Sequence, residues 1–158
     1  PVLRLRRSLS EPPPPPIWPE GVQPAAFEPE RHAEQVHALL AEAYAQGGGR
    51  VEPFAIWWPD LKSDAEYDLA LCFVAVGRQG AVVGVAQCWT SAFLKDLAVS
   101  PGFRRRGLGS ALLLQAFRAF RERGAPFLDL KVEADNPTGA VRLYRSHGMS
   151  EIAPDGPG

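Results

Sequence analysis

The sequence predicts one α/β (α+β) domain, and three observations carry that expectation. The length of 158 residues suits a single hydrophobic core. Apolar residues recur with the 3.6 period of a helix in some segments and alternate as in a strand in others, and three strand-like segments follow one another as in a meander. The composition is that of an ordinary globular chain, 46% hydrophobic and 22% charged, with a formal net charge of -1.

Residues 1–20 stand apart as a proline-rich N-terminal strand and strap. An alternating apolar/basic run at 2–7 leads into five prolines at 12–16, which favour an extended, semi-rigid chain. A domain is expected over residues 21–153 and a tail over 154–158. Within residues 30–46, Val36, Leu39, Leu40, Ala43 and Tyr44 share one helical face, and the glycines at 47–49 stop the helix. Residues 51–68 carry Phe54, Trp57, Trp58, Leu61 and Tyr67 and are interrupted by Pro59, which predicts one or two short helices with a turn between them.

Strands are expected at 69–76, 81–89 and 93–99, separated by turn signals. A helix opens near Gly107 and runs through Leu108, Leu112, Ala116 and Phe120 to a stop at Gly124. Residues 127–133 read as a strand, with Leu128, Leu130 and Val132 on one face and Asp129, Lys131 and Glu133 on the other. Asn136 then reads as an N-cap and Pro137 as the first residue of a last helix, which carries Tyr144 and ends at Gly148.

Several classes are excluded by the same reading. The longest apolar run, 69–76, is far short of the ~20 residues that cross a bilayer, so no membrane partner is expected. The balanced charge argues against a nucleic-acid partner. Cys72 and Cys88 lie in apolar runs and read as small buried hydrophobes; His32, His37 and His147 offer no zinc-like spacing, so no metal is expected. With no secretory pattern, a cytoplasmic setting fits.

The segment richest in chemistry runs from a strand end at Leu97, Ala98 and Val99 through a loop with Arg104, Arg105 and Arg106 to a helix start at Gly107, Leu108, Gly109 and Ser110. Glycines permit close backbone approach, the first helical turn has N–H groups to spare, and the helix dipole adds positive potential. Such a place binds a phosphate or pyrophosphate. The Gly-Lys-Ser/Thr ending of a P-loop is absent, and the third glycine of a Rossmann fingerprint would fall at Leu112, so a different diphosphate ligand is expected.

Arg104-x-x-Gly107-x-Gly109 after Leu97-Ala98-Val99, followed by Leu130-Lys131-Val132, Asn136, Ala140, Tyr144 and His147-Gly148-Met149, resembles the GNAT superfamily of acetyl-CoA-dependent N-acetyltransferases from about residue 22 to residue 149. The resemblance implies a mixed, mostly antiparallel central sheet flanked by helices, with acetyl-CoA as cosubstrate. It implies that the backbone at 97–99 pairs with the pantetheine arm and that the loop through Ser110 wraps the pyrophosphate. Asn136 would lie near the cofactor or serve only as a helix cap, and Tyr144 would meet the thioester sulfur or serve only as a core aromatic. The acceptor would be an amine-bearing small molecule or a peptide N-terminus or lysine. The family supplies two further strands after Met149, where only nine residues remain, so the last strands are expected to be missing or replaced. Residues 2–7 are expected to pair with the sheet in their own chain or a neighbour's, the latter making a homodimer.

The expected reaction is direct attack of a primary amine on acetyl-CoA in a ternary complex. A phenol with pKa ~10 can protonate a departing thiolate whose conjugate acid is near ~8.5, which suits Tyr144. The oxyanion would need backbone N–H donors near Val99, at a strand end or bulge. Where relatives carry a basic glutamate this chain has Phe93 and Lys131; Glu133 and Asp96 are the nearby carboxylates. The acceptor is expected over residues 47–67, where Phe54, Trp57, Trp58 and Tyr67 accompany Glu52, Asp60, Asp64 and Glu66. The competing class is a GNAT-like CoA-binding sensor or scaffold without acyl transfer. RNA binding through Arg104, Arg105 and Arg106 is opposed by the net charge of -1.

Overall fold

The computed structural model describes residues 1–153 apart from Gly48; the tail expected at 154–158 and the middle of the glycine stop lie outside the described residues. The strands are β1 (Val2–Ser8), β2 (Gln23–Ala26), β3 (Cys72–Val76), β4 (Val82–Trp89), β5 (Phe93–Val99), β6 (Phe127–Glu133) and β7 (Ser150–Ile152). The α-helices are α1 (Pro29–Gly47), α2 (Phe54–Ser63), α3 (Leu108–Glu122) and α4 (Ala140–Ser146). One sheet holds the strands in the order β2-β3-β4-β5-β6-β1-β7, antiparallel at every junction except β5–β6. This is the mixed, mostly antiparallel sheet expected.

Each face of the sheet has its own core. On one side α3 presents Leu112, Leu113, Phe117 and Phe120 to Leu5, Ala86, Cys88, Leu128 and Leu130. On the other, α1 and α2 present Val36, Leu40, Trp57 and Leu61 to Cys72, Val74, Val85 and Ala98. Phe117 is fully buried, and such a side chain contributes roughly 1.5–3 kcal/mol of hydrophobic stabilisation.

The alternating run at the N-terminus explains β1. Leu3 and Leu5 face α3, whereas Arg4 and Arg6 point to the opposite side. β1 pairs antiparallel along the whole of β6, from Val2↔Glu133 to Ser8↔Phe127, and its other edge takes β7. The strand position beside β6 is therefore filled from the N-terminal side of the same chain. Asp129, on the face of β6 opposite Leu128 and Leu130, is 1% exposed because the Arg4 and Arg6 guanidiniums close over it, with Arg6 Nε donating to Oδ1 at 2.7 Å and Arg4 Nε to Oδ2 at 3.0 Å.

Local expectations at residues 69–71 and Asn136 need correction, and two further points are decided by the structure. Residues 69–71 form a 3-10 turn, not strand, because the Asp68 carboxylate accepts the Ala70 N–H and caps that turn. Of the one or two helices expected over 51–68 there is one: α2 runs through Pro59 without the turn expected there, anchored by buried Trp57 and Leu61. β2 was not foreseen; it is a short edge strand, where Pro24 is tolerated. Asn136 does not cap α4, since its Oδ1 accepts the Thr138 N–H at 2.8 Å in a turn of its own, and the helix begins later, with Gly139 at φ 83° as its cap.

Candidate active site

The site grows from a break in the sheet. β5 and β6 pair only at Phe93↔Asp129 and Leu94↔Leu130, so the two strands are joined at one end and part beyond it. The Ser100 N–H donates to Val83 O at 2.8 Å, and alternation along β5 therefore turns the Leu97 and Val99 peptide groups away from β4 and into the gap. Ala98 points its side chain to the α1/α2 core, whereas Leu97 and Val99 pack toward α3.

A bulge re-phases β5. Gln87 opposes Asp96 while Cys88 opposes Leu94, so Lys95 is the extra residue. Leu94 consequently faces α3, and Asp96 faces α1. The bulge lies at Lys95 and not near Val99, although the Val99 amide does face the gap. Asp96 is 5% exposed; its Oδ1 accepts from the Tyr44 hydroxyl and its Oδ2 from Lys95 Nζ at 2.9 Å.

Tyr144, on α4, is buried in the core on the α3 side of the sheet. Burial first, and the Asp96 charge second, push its phenol up to about 12, so it holds its proton at neutral pH. Tyr44 is likewise pushed up by burial, by Asp96 and by Tyr144, so the three groups lie within electrostatic reach of one another at the gap.

At the far end of β5 the chain makes the turn expected to hold phosphate. Arg105 adopts φ 60° and Gly107 φ 86°, and a side chain at Gly107 would meet open space, so the backbone there is uncovered. Arg105 and Arg106 are exposed, with the Arg106 guanidinium 5.4 Å from the Phe103 ring centre. Three members of the segment have other work. Arg104 donates to Val99 O at 3.1 Å and pairs with Glu42 of α1 at 2.9 Å, tying the strand end to the helix. A side chain at Gly109 would come within 3.3 Å of Leu143, so this glycine lets α4 pack on α3. The Ser110 hydroxyl is 2.8 Å from His147 Nε2, whose pKa is lowered by burial and then by Arg7. Leu108 is buried in the α3 core, and Asn136 is occupied by its own turn.

On the α1/α2 side a cavity of about 340 Å³ opens beside the gap, lined by Tyr44, Trp57, Asp60, Asp64, Trp89 and Asp96 among others. It takes in the part of the chain expected to meet the acceptor and adds residues that the sequence reading left out. Tyr44 reads in sequence as one apolar position of a helix face, and Trp89 as a strand end; only their convergence marks them. His37 Nε2 lies 2.8 Å from Glu52 O, fixing the rim segment to α1. Among the described residues no group of three or more His, Cys, Asp or Glu could hold a metal ion, and no helix is long and apolar enough to cross a membrane.

A mixed sheet that parts between β5 and β6, with backbone turned into the gap, is the framework that comparison with known proteins identifies. The model of the acetyltransferase (GNAT) family matches residues 7–149. The chain belongs to that family of acyltransferases. It is 36% identical over 173 residues to a mycothiol acetyltransferase of Thermobispora bispora, an alignment covering 98% of this chain and 55% of the relative. A streptothricin acetyltransferase of Streptomyces lavendulae is 39% identical over 83 residues, covering 49% of this chain and 43% of that protein. The crystal structure of a GCN5-related N-acetyltransferase from Sphaerobacter thermophilus superposes with a TM-score of 0.78 at 30% identity, over 96% of this chain and 48% of that one. The chain thus spans about half the length of the mycothiol acetyltransferases it matches.

Proposed function

We propose that the chain is an N-acetyltransferase that moves the acetyl group of acetyl-CoA to the primary amine of a small molecule by direct attack in a ternary complex. The observation that carries this is the gap between β5 and β6, which has peptide groups of Leu97 and Val99 on its wall and the Gly107 turn at one end; the buried, protonated Tyr144 within electrostatic reach of Asp96 supports it. The names of the relatives, acting on mycothiol and streptothricin, support a small-molecule acceptor.

The chain's residues divide the work by position. Leu97 and Val99 offer hydrogen bonds to an extended amide-bearing arm, and the Val99 N–H can steady negative charge on a carbonyl oxygen. The turn at residues 105–110, with α3 behind it, suits a pyrophosphate, and Arg105 and Arg106 add charge. Acetyl-CoA supplies an activated acyl carbon and a thiolate leaving group. Tyr144 donates its proton to the departing sulfur, and Trp57, Trp89, Asp60 and Asp64 bound the space for a cationic amine.

The test is a thermal-shift titration with acetyl-CoA, followed by detection of free CoA over a panel of small amines. Acetyl-CoA at 100 times its Kd adds about 2.7 kcal/mol, which raises Tm by roughly 5–11 °C in a domain of this size. Gly107→Val forces a β-branched residue into φ 86° and should abolish the shift. An unchanged wild-type melting curve at saturation sinks the proposal, and binding without CoA release for any amine reduces the chain to a CoA-binding module.

A further inference from the structure

Attack by an amine leaves one proton without an owner. An alkylamine with pKa ~10.4 is neutral in roughly one molecule in 2500 at pH 7, so a group in the site must accept a proton as the N–C bond forms. Phe93 and Lys131 cannot do so in the ordinary way, and Glu133 is exposed. The cavity beside the gap is lined by four carboxylates, Glu52, Asp60, Asp64 and Asp96. The first three are exposed rim residues, whereas Asp96 is 5% exposed.

The bulge makes this placement. With regular alternation Asp96 would share a face with Leu94; the extra residue Lys95 turns it to α1 and the cavity. An ionised carboxylate has about four acceptor positions. Tyr44 and Lys95 each occupy one, and they hold the two oxygens in a fixed orientation. Asp96 also lies close enough to Tyr144 for its charge to act on that phenol. It therefore borders the space for the amine while lying within electrostatic reach of the group assigned to the sulfur.

We propose that Asp96 is the proton acceptor for the attacking amine, with Tyr44 and Lys95 holding its carboxylate in place; the inference rests on the acetyl-transfer reading above. The ammonium first gives one proton to the Asp96 carboxylate, directly or through one water, and Asp96 releases it to solvent. The neutral nitrogen then bonds to the thioester carbonyl carbon and gives a second proton to Asp96. The C–S bond breaks, and the sulfur takes its electron pair and the Tyr144 proton. Amide and thiol leave, and the second proton returns from Asp96 to the Tyr144 phenolate through solvent, so one proton is released per turnover and no oxidant or metal is consumed.

The experiment compares wild type, Asp96→Asn and Tyr44→Phe, each with acetyl-CoA and two acceptors of similar shape: an alkylamine protonated at pH 7 and a weakly basic hydrazine that is neutral there. The expected result for Asp96→Asn is an unchanged acetyl-CoA thermal shift, kcat about 10²-fold lower with the alkylamine, and a much smaller loss with the hydrazine. Tyr44→Phe keeps the carboxylate and should lose less than Asp96→Asn. If Asp96→Asn turns over the alkylamine like wild type, or loses both acceptors equally, the proposal is overturned. Should that variant fold poorly, Asp96→Ala with added formate decides: restored turnover supports the role, and none refutes it. A wild type that releases no CoA with any amine fails the acetyl-transfer reading itself, and this inference falls with it.

Discussion

The clamp on Asp129 offers a sharp test of how β1 is held. Its carboxylate is 1% exposed and receives Arg6 at 2.7 and 2.9 Å and Arg4 at 3.0 Å, from side chains that keep 20% and 26% of their surface. Asp129→Asn keeps the volume but removes the charge, leaving two guanidiniums facing a neutral amide. Breaking a buried pair from one side costs about 3–5 kcal/mol; the partly exposed arginines recover some hydration, which places the expected loss near 3 kcal/mol. That corresponds to a Tm drop of roughly 6–12 °C for a chain of this length. The assay is thermal unfolding at pH 7, with Glu28→Ala as control, since its pair with Arg31 is exposed at both ends and is worth at most about 1 kcal/mol. A variant that melts within about 2 °C of wild type would refute the clamp as a main anchor of β1.

Two further outcomes are expected. Tyr144→Phe keeps the buried ring and removes the donor, so kcat should fall roughly 10²-fold with the acetyl-CoA thermal shift intact; wild-type turnover with chemistry limiting would make the tyrosine a core residue only. His32 is 2% exposed, its Nδ1 accepts the Glu28 N–H at 3.0 Å, and burial above all pulls its pKa below 6.5. The unfolded chain then binds the proton more readily, so this contribution is full above the unfolded value and stability falls as pH drops below about 6.5. Tm should decline between about pH 7.5 and 5.5, less steeply in His32→Gln, and an identical slope in the two proteins would count against it.

The local pattern of the sequence was enough for most elements and for the turn at residues 105–110. β5, β6 and α3 start and stop where alternation, glycine and helix period place them, because each signal is a property of neighbouring residues. Gly107 marks the turn before α3 by the backbone conformation that glycine adopts easily. The capping signal at Asn136 misled, since an Asx turn with Thr138 satisfies the same oxygen. What the tertiary structure decided is how distant pieces meet. The place of β1 between β6 and β7 depends on pairing across more than a hundred residues, and the burial of Asp129 follows from that register. The convergence of Tyr44, Asp96 and Tyr144 depends on the Lys95 bulge and on α1 crossing β5, neither of which leaves a mark in the sequence: a bulge changes which face a residue takes without changing its neighbours in the chain.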